Sequence, residues 1–340
     1  MKHPNPVKAL SLALLVALIS GCSTPGTVDR TNANSTTAES VTIDSCGREV
    51  TFDTPPERIL AVGSEAPALL EAAGAGERVT HYAGSLQVPF DASTQRVVEQ
   101  AERIAEDSHK VSFEMILNSG VDAVIGTDIT AGVDLDSLAQ RLEGAGIKLV
   151  TVSGYCAGIE GRSTHNLSGF ELIYRDIENY GRVFGTQDQA AASIADLRKR
   201  VTAATELVGD HAARSAVPLY VPAEGTVGSY GGQSLVSEQM ELLGVENVFA
   251  DVPKRYFEPS TEALTDAAPQ LIFAMFLPTG SSQVETEQDV VDAVRQRPEL
   301  AGIEAVSDDS ALLPLNYYYT SPGPLAVDGL ELLANRLSDG

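Results

Sequence analysis

The chain has 340 residues, 43% of them hydrophobic and only 6% aromatic, with no Trp. That length accommodates two domains. A formal charge of −24 would repel phosphates and so excludes a nucleic-acid partner as the natural reading.

The first element is a leader. Lys2 and Lys8 flank the start of an apolar run, Ala9–Ile19, that is too short to span a bilayer comfortably. It ends Ile19-Ser20-Gly21-Cys22, which resembles the lipobox of bacterial lipoproteins. The resemblance implies cleavage before Cys22 and a diacylglycerol on its thiol. Residues 1–21 are then a signal peptide. Residues 22–40, polar and rich in Thr, Asn and Ser, are the lipid anchor and a flexible tether. The lipid is the only membrane attachment. Setting Cys22 aside leaves Cys46 and Cys156. An exported chain with one such pair is expected to form one disulfide.

Val41–Phe52 alternates as a β-hairpin with Cys46-Gly47 at its turn. Strands follow at Arg58–Val62, Arg78–Tyr82, Asp122–Gly126 and Ile147–Val152, with helices at Glu65–Ala73, Val111–Asn118 and Leu135–Gly144. The stretch from Gly84 to Lys110 is loose and polar. Between Thr186 and Gly209 there is neither Gly nor Pro, and Ala190, Ile194, Leu197 and Val201 recur at helical spacing. A helix of this length is about 30 Å long, the width of a small domain.

Beyond it the pattern restarts, with strands at Ala216–Val221, Gln270–Met275 and Ala311–Leu315 and a closing helix from Pro324 to Leu337. Alternating strands and helices imply mainly parallel sheets. The fold class is therefore α/β: two αβ lobes, 41–169 and 214–340, joined through a helical region at 170–213, with a ligand cleft between them.

The halves echo each other. Ser112 precedes Glu114 by two residues and Ser260 precedes Glu262 by two, each pair opening a short helix eight residues before a buried strand begins. A first-turn carboxylate suits the helix dipole whatever else it does. Gly63-Ser64-Glu65 reads as a plain helix cap. No nucleophile elbow, zinc-protease motif, phosphate loop or dinucleotide fingerprint is present, so no catalytic residue is assigned. His81, His109 and His165 are too scattered to assign a metal site, and no cofactor is expected.

Parallel sheets bind ligands at their carboxyl ends. Those loops are Gly63–Glu65, His81–Ser85, Thr127–Gly132 and the stretch from Ser153 in the first half, and Pro222–Gly232, Phe276–Ser281 and Asn316–Ser321 in the second, with Tyr230, Lys254, Arg255, Tyr256 and Tyr318 on or near the latter. Aromatics beside basic groups suit a flat, anionic, chelated ligand.

From Val41 to the C-terminus, the ordered segments CGREVTFDTPPERILAV, VSFEMILNSGVDAVIG, YRDIENYGRVFG, MELLGVENVFADV and STEALTDAAPQLIFAM resemble the solute-binding proteins of ABC importers for ferric siderophores, haem and vitamin B12. The resemblance implies two lobes on one long helix with little closure. It also implies that Glu114 and Glu262 dock on arginines of a permease dimer served by its ATPase. Tyr82 and Tyr256 fall on aromatic pocket positions of that family, and Tyr230 and His109 lie near others. TVSGYCAG looks most like ferric-siderophore binders. The run EDSHKVSFE lacks the axial Tyr that haem binders carry, although His109 lies close. The expectation is a monomeric, lipid-anchored receptor that delivers a ferric siderophore to its permease. Haem or a corrinoid is the alternative within the class; a metal-ion binder, an enzyme on the same frame, and an adhesin or non-transporting sensor lie further away.

Overall fold

The computed structural model describes residues 40–127, 134–158, 168–208 and 214–338. The signal peptide, Cys22, nearly all of the tether, His165 and His211 lie outside them. No helix among the described residues is long and apolar enough to cross a membrane.

The chain opens with the antiparallel hairpin β1 (Val41–Ser45) and β2 (Arg48–Phe52). Then come β3 (Ile59–Val62), α1 (Glu65–Ala72), β4 (Val79–Ala83), α2 (Ala92–Gln100) and β5 (Glu102–Ala105). The first lobe is completed by α3 (Phe113–Ser119), β6 (Ala123–Gly126), α4 (Leu135–Gly144) and β7 (Lys148–Thr151). Its sheet is parallel throughout, in the order β5-β4-β3-β6-β7. Side-chain alternation explains why β3 and β6 are apolar at every position. Ile59, Ala61, Ala123 and Ile125 enter one core, whereas Leu60, Val62 and Val124 enter a second on the opposite face, with Leu149 of β7. A strand covered on both sides has no polar face.

Two helices follow, α5 (Gly169–Phe184) and α6 (Gln187–Val208). The second lobe contains β8 (Arg214–Tyr220), β9 (Gly228–Ser229), α7 (Leu235–Leu242), β10 (Val245–Asn247) and α8 (Thr261–Ala267). It ends with β11 (Leu271–Phe276), α9 (Glu287–Gln296), β12 (Leu312–Asn316) and α10 (Leu325–Ser338). Here the parallel order is β10-β8-β11-β12, and β9 pairs antiparallel with β8.

The long helix does not cross between the lobes alone. The stretch before it is also helical, and the two run antiparallel. Gly181 sits where a Cβ would lie 2.6 Å from that of Ala190, so glycine permits the close approach. Gly185, at φ 71°, ends α5 in the left-handed conformation that glycine tolerates best. Further along, Glu171 takes a bidentate ion pair from Arg198 at 2.7 and 2.8 Å. The start of α5 is held by second-lobe Glu238, which accepts from Gly169 N at 2.5 Å. Its far end abuts the first lobe, where the Thr186 hydroxyl donates to the Ala73 carbonyl. α6 then returns to the second lobe, where Arg200 pairs with Asp328 and Glu331 of α10, each at 2.6 Å.

Asp176, in the middle of α5, is buried and accepts from Ser153 N at 2.8 Å and Ser153 Oγ at 2.5 Å. Burial dominates these bonds and pushes its carboxyl from 3.8 up to about 6. The folded state thus binds this proton more tightly than the unfolded chain does. The resulting stability is complete below the unfolded value and is lost as pH rises through about 6. Asp176→Asn should therefore gain on the parent by about 2–3 kcal/mol between about pH 4 and pH 7. Urea unfolding at both pH values measures the gain, and a constant difference would contradict it.

The hairpin turn places Cys46 at φ 55° and Gly47 at φ 80°, the paired left-handed geometry of a tight two-residue turn. There Cys46 is bonded to Cys156, in the turn after β7. Ser45 Oγ accepts from Thr151 N at 2.9 Å, so the hairpin is also tied to the edge strand β7. A clear departure from the sequence reading of the first lobe is its loose polar stretch. It contains α2, capped by Asp91, and the edge strand β5. Only Thr94 and Val98 of α2 are buried, and no residue of β5 is, so neither element carries a strong apolar signal.

Candidate functional site

The order of the first sheet reverses at β3, whose neighbours are β4 on one side and β6 on the other. Ligands bind outside the carboxyl ends of strands at such a point. Gly63 follows β3, Gly84 follows β4, Glu106 follows β5 and Thr127 follows β6. All four line a cleft of about 610 Å³, within the usual range for small-molecule sites. The second lobe contributes Leu277, Thr279 and Ser281 after β11, and Tyr317 and Tyr318 after β12.

One wall is a cluster of phenols around a guanidinium. Arg255 lies over the Tyr155 ring at 5.3 Å. Among the described residues its main electrostatic neighbours are Tyr317, Tyr155 and Tyr230. The rings form a chain: Tyr256 to Tyr230 at 5.4 Å, Tyr230 to Tyr317 at 6.4 Å, Tyr317 to Tyr318 at 6.3 Å. Burial raises the Tyr318 hydroxyl to about 12, so this phenol enters the cleft protonated, as a hydrogen-bond donor.

The floor contains Glu65. Its Oε1 accepts from Ser64 Oγ at 2.7 Å and Tyr155 Oη at 2.9 Å. Ser64 holds the N-cap position of α1 without a side-chain capping bond; its hydroxyl turns to the neighbouring carboxylate. At the mouth, Asp107 accepts from His109 N at 2.9 Å and faces His109 Nδ1 at 3.0 Å. Burial alone would raise the Asp107 carboxyl, but the bonds from His109 hold it below its ordinary value. Across the mouth, Glu285 accepts backbone N–H groups from Thr279, Gly280, Ser281 and Ser282. That carboxylate shapes the loop presenting Thr279 and Ser281.

Of the residues singled out from sequence, His109, Arg255 and Tyr318 line the cleft. Tyr82 does not: it is fully buried, and its hydroxyl donates to the Ser85 carbonyl at 2.9 Å. Tyr230 is buried behind Tyr317. Tyr256 packs on Gly228 and Tyr230, and Lys254 is exposed outside the lining. Glu65, Tyr155, Asp107 and Lys110 were not singled out as ligand contacts, although the loop-end rule points to the turns that carry Glu65 and Tyr155.

Glu114 and Glu262 occupy equivalent places. Each is exposed in the first turn of a seven-residue helix. Ser112 caps its helix by accepting from Met115 N at 3.2 Å, and Ser260 from Ala263 N at 3.2 Å. Each helix ends on a left-handed residue, Gly120 or Ala268.

A family model described as periplasmic binding protein matches residues 88–310. None of the curated proteins searched matches the chain. Among solved structures, an ABC-type Fe3+-hydroxamate transport system from Saccharomonospora viridis DSM 43017 is 33% identical. The match covers 87% of this chain and 98% of that one, with a TM-score of 0.73. The fold is shared with the haem-binding protein RhuT of Roseiflexus sp. RS-1: 19% identity, 83% and 98% coverage, TM-score 0.63. It is also shared with the vitamin B12-binding protein BtuF of Vibrio cholerae: 20% identity, 84% and 98% coverage, TM-score 0.61. Proteins of this kind are exported, non-enzymatic components of transport. Two parallel-sheet lobes, a cleft at their strand ends and these matches together make the chain a member of the periplasmic binding protein family.

Proposed function

We propose that the protein is the lipid-anchored receptor of an ABC importer and captures a ferric siderophore. The observation that carries this is Arg255 set among Tyr155, Tyr230 and Tyr317 at the wall of a cleft of about 610 Å³. A guanidinium held by phenols keeps donors for the anionic oxygens of a chelate. The relative from Saccharomonospora viridis, of an Fe3+-hydroxamate transport system, supports the same ligand class. Glu114 and Glu262 then dock on the permease dimer, one from each lobe. Cys22 holds the monomeric receptor at the outer face of the cell membrane.

With no Trp in the chain, tyrosine emission reports binding through Tyr155, Tyr317 and Tyr318 of the cleft. Adding a ferric siderophore to the purified protein should quench it, and Arg255→Ala should weaken binding by about 10- to 100-fold. His109 at the mouth keeps haem as the second reading. A Soret band that shifts on adding haem, and is lost in His109→Ala, would replace the siderophore with haem.

A further inference from the structure

The cleft wall explains how an anionic group is received. The floor contains a second, opposite device. Glu65 is only 3% exposed, yet no cation neutralises it among the described residues: both groups donating to its Oε1 are neutral hydroxyls. Its Oε2 is buried with no hydrogen-bond partner. A buried carboxylate left in this state is costly, and a donor that completes it is correspondingly favourable.

Arg255 does not fill that role. It lies on the face of the Tyr155 ring whose hydroxyl is given to Glu65. Arg255 and Glu65 thus meet different parts of one phenol, its face and its hydroxyl, and form no ion pair with each other. Among the described lining residues the other acids are Glu106, which faces Arg103 at 3.8 Å, and Asp107, and the other basic side chain is Lys110. The described lining therefore holds three carboxylates against two basic side chains, besides His109. The described lining thus shows no positive excess to receive a highly anionic complex.

We infer that Glu65 selects the charge of the ligand: the cleft takes an uncharged or cationic ferric chelate that brings an N–H or ammonium donor to Glu65, while Arg255 meets the chelating oxygens. This rests on the siderophore reading above and narrows it. Trianionic tris-catecholate complexes are excluded, and tris-hydroxamates, which leave ferric iron neutral, are admitted.

The test uses the full chain in detergent, titrated calorimetrically with three probes. One is ferrioxamine B, a ferric tris-hydroxamate with a pendant ammonium. The second is its N-acetylated, uncharged form. The third is a ferric tris-catecholate. The parent should prefer ferrioxamine B over the acetylated form by about tenfold and over the tris-catecholate by at least about 100-fold. In Glu65→Gln, which keeps the shape and removes the charge, the two hydroxamates should bind alike and the tris-catecholate should gain. Equal or tighter tris-catecholate binding by the parent overturns the inference and leaves the siderophore reading standing. A preference for the ammonium that survives Glu65→Gln also overturns it. If that variant fails to fold, the parent's ranking of the three probes decides alone. Haem or cobalamin bound in place of all three overturns the siderophore reading and this inference with it.

Discussion

Replacing Glu114 and Glu262 together by arginine should abolish uptake of the ferric chelate while leaving its affinity for the isolated receptor unchanged. Both side chains are exposed and stand outside the cleft lining, so the ligand does not meet them. On the proposed docking role, each reversal sets a cation against a permease arginine, and like charges juxtaposed across an interface cost several kcal/mol. The folded state loses much less. An unfavourable charge in the first helical turn costs about 0.3–1 kcal/mol, and the caps at Ser112 and Ser260 remain. Uptake of iron-labelled chelate by cells, compared with calorimetry on the same variants, separates the two effects. Matching losses of uptake and affinity would refute docking.

Breaking the Cys46–Cys156 bridge should lower the melting temperature by about 10 °C. The bridge spans a sequence separation of 110. Loop-closure entropy alone then puts its contribution near 4–5 kcal/mol, and removal of native bridges costs about 2–5 kcal/mol. At about 2–4 °C per kcal/mol for a large domain, the shift is on the order of 10 °C. The replacement needs care, because Cys46 has a left-handed backbone that alanine would strain. Cys46→Asn with Cys156→Ala avoids this, since Asn tolerates that conformation and Cys156 is fully buried. A melting scan of the pair against the oxidised parent checks the estimate. A shift under about 2 °C would mean that the hairpin is held by its other bonds, such as Ser45 to Thr151.

The architecture was legible in the sequence because it depends on patterns that survive without neighbours. Doubly covered strands such as Ile59–Val62 and Leu271–Phe276 are apolar at every position, and Gly-free helical runs are long. The elements that were missed, α2 and β5, show only part of a face to the core. The site was legible at the level of loops and not of side chains. Tyr82 and Tyr318 both follow the residue types expected of a pocket, yet one is consumed by the core and the other reaches the cleft. Which of them does so is decided by strand alternation and by Ser85 between them, near both phenols. Glu65 was hidden for a different reason. Ser-Glu at a helix start has a sufficient local explanation, and only tertiary structure brings Tyr155 from the far side of the lobe to reveal another.

The antiparallel pair α5 and α6 has a consequence for traffic at the membrane. A hinge motion would have to bend both helices while Arg198 holds Glu171 and Arg200 holds α10. On the proposed docking role, empty and loaded receptors would then offer the permease almost the same face. An idle receptor is in that case a competitor of a loaded one, and import depends on the fraction of receptors filled as well as on their number. Making more receptor without more ligand would occupy the transporters with empty deliveries.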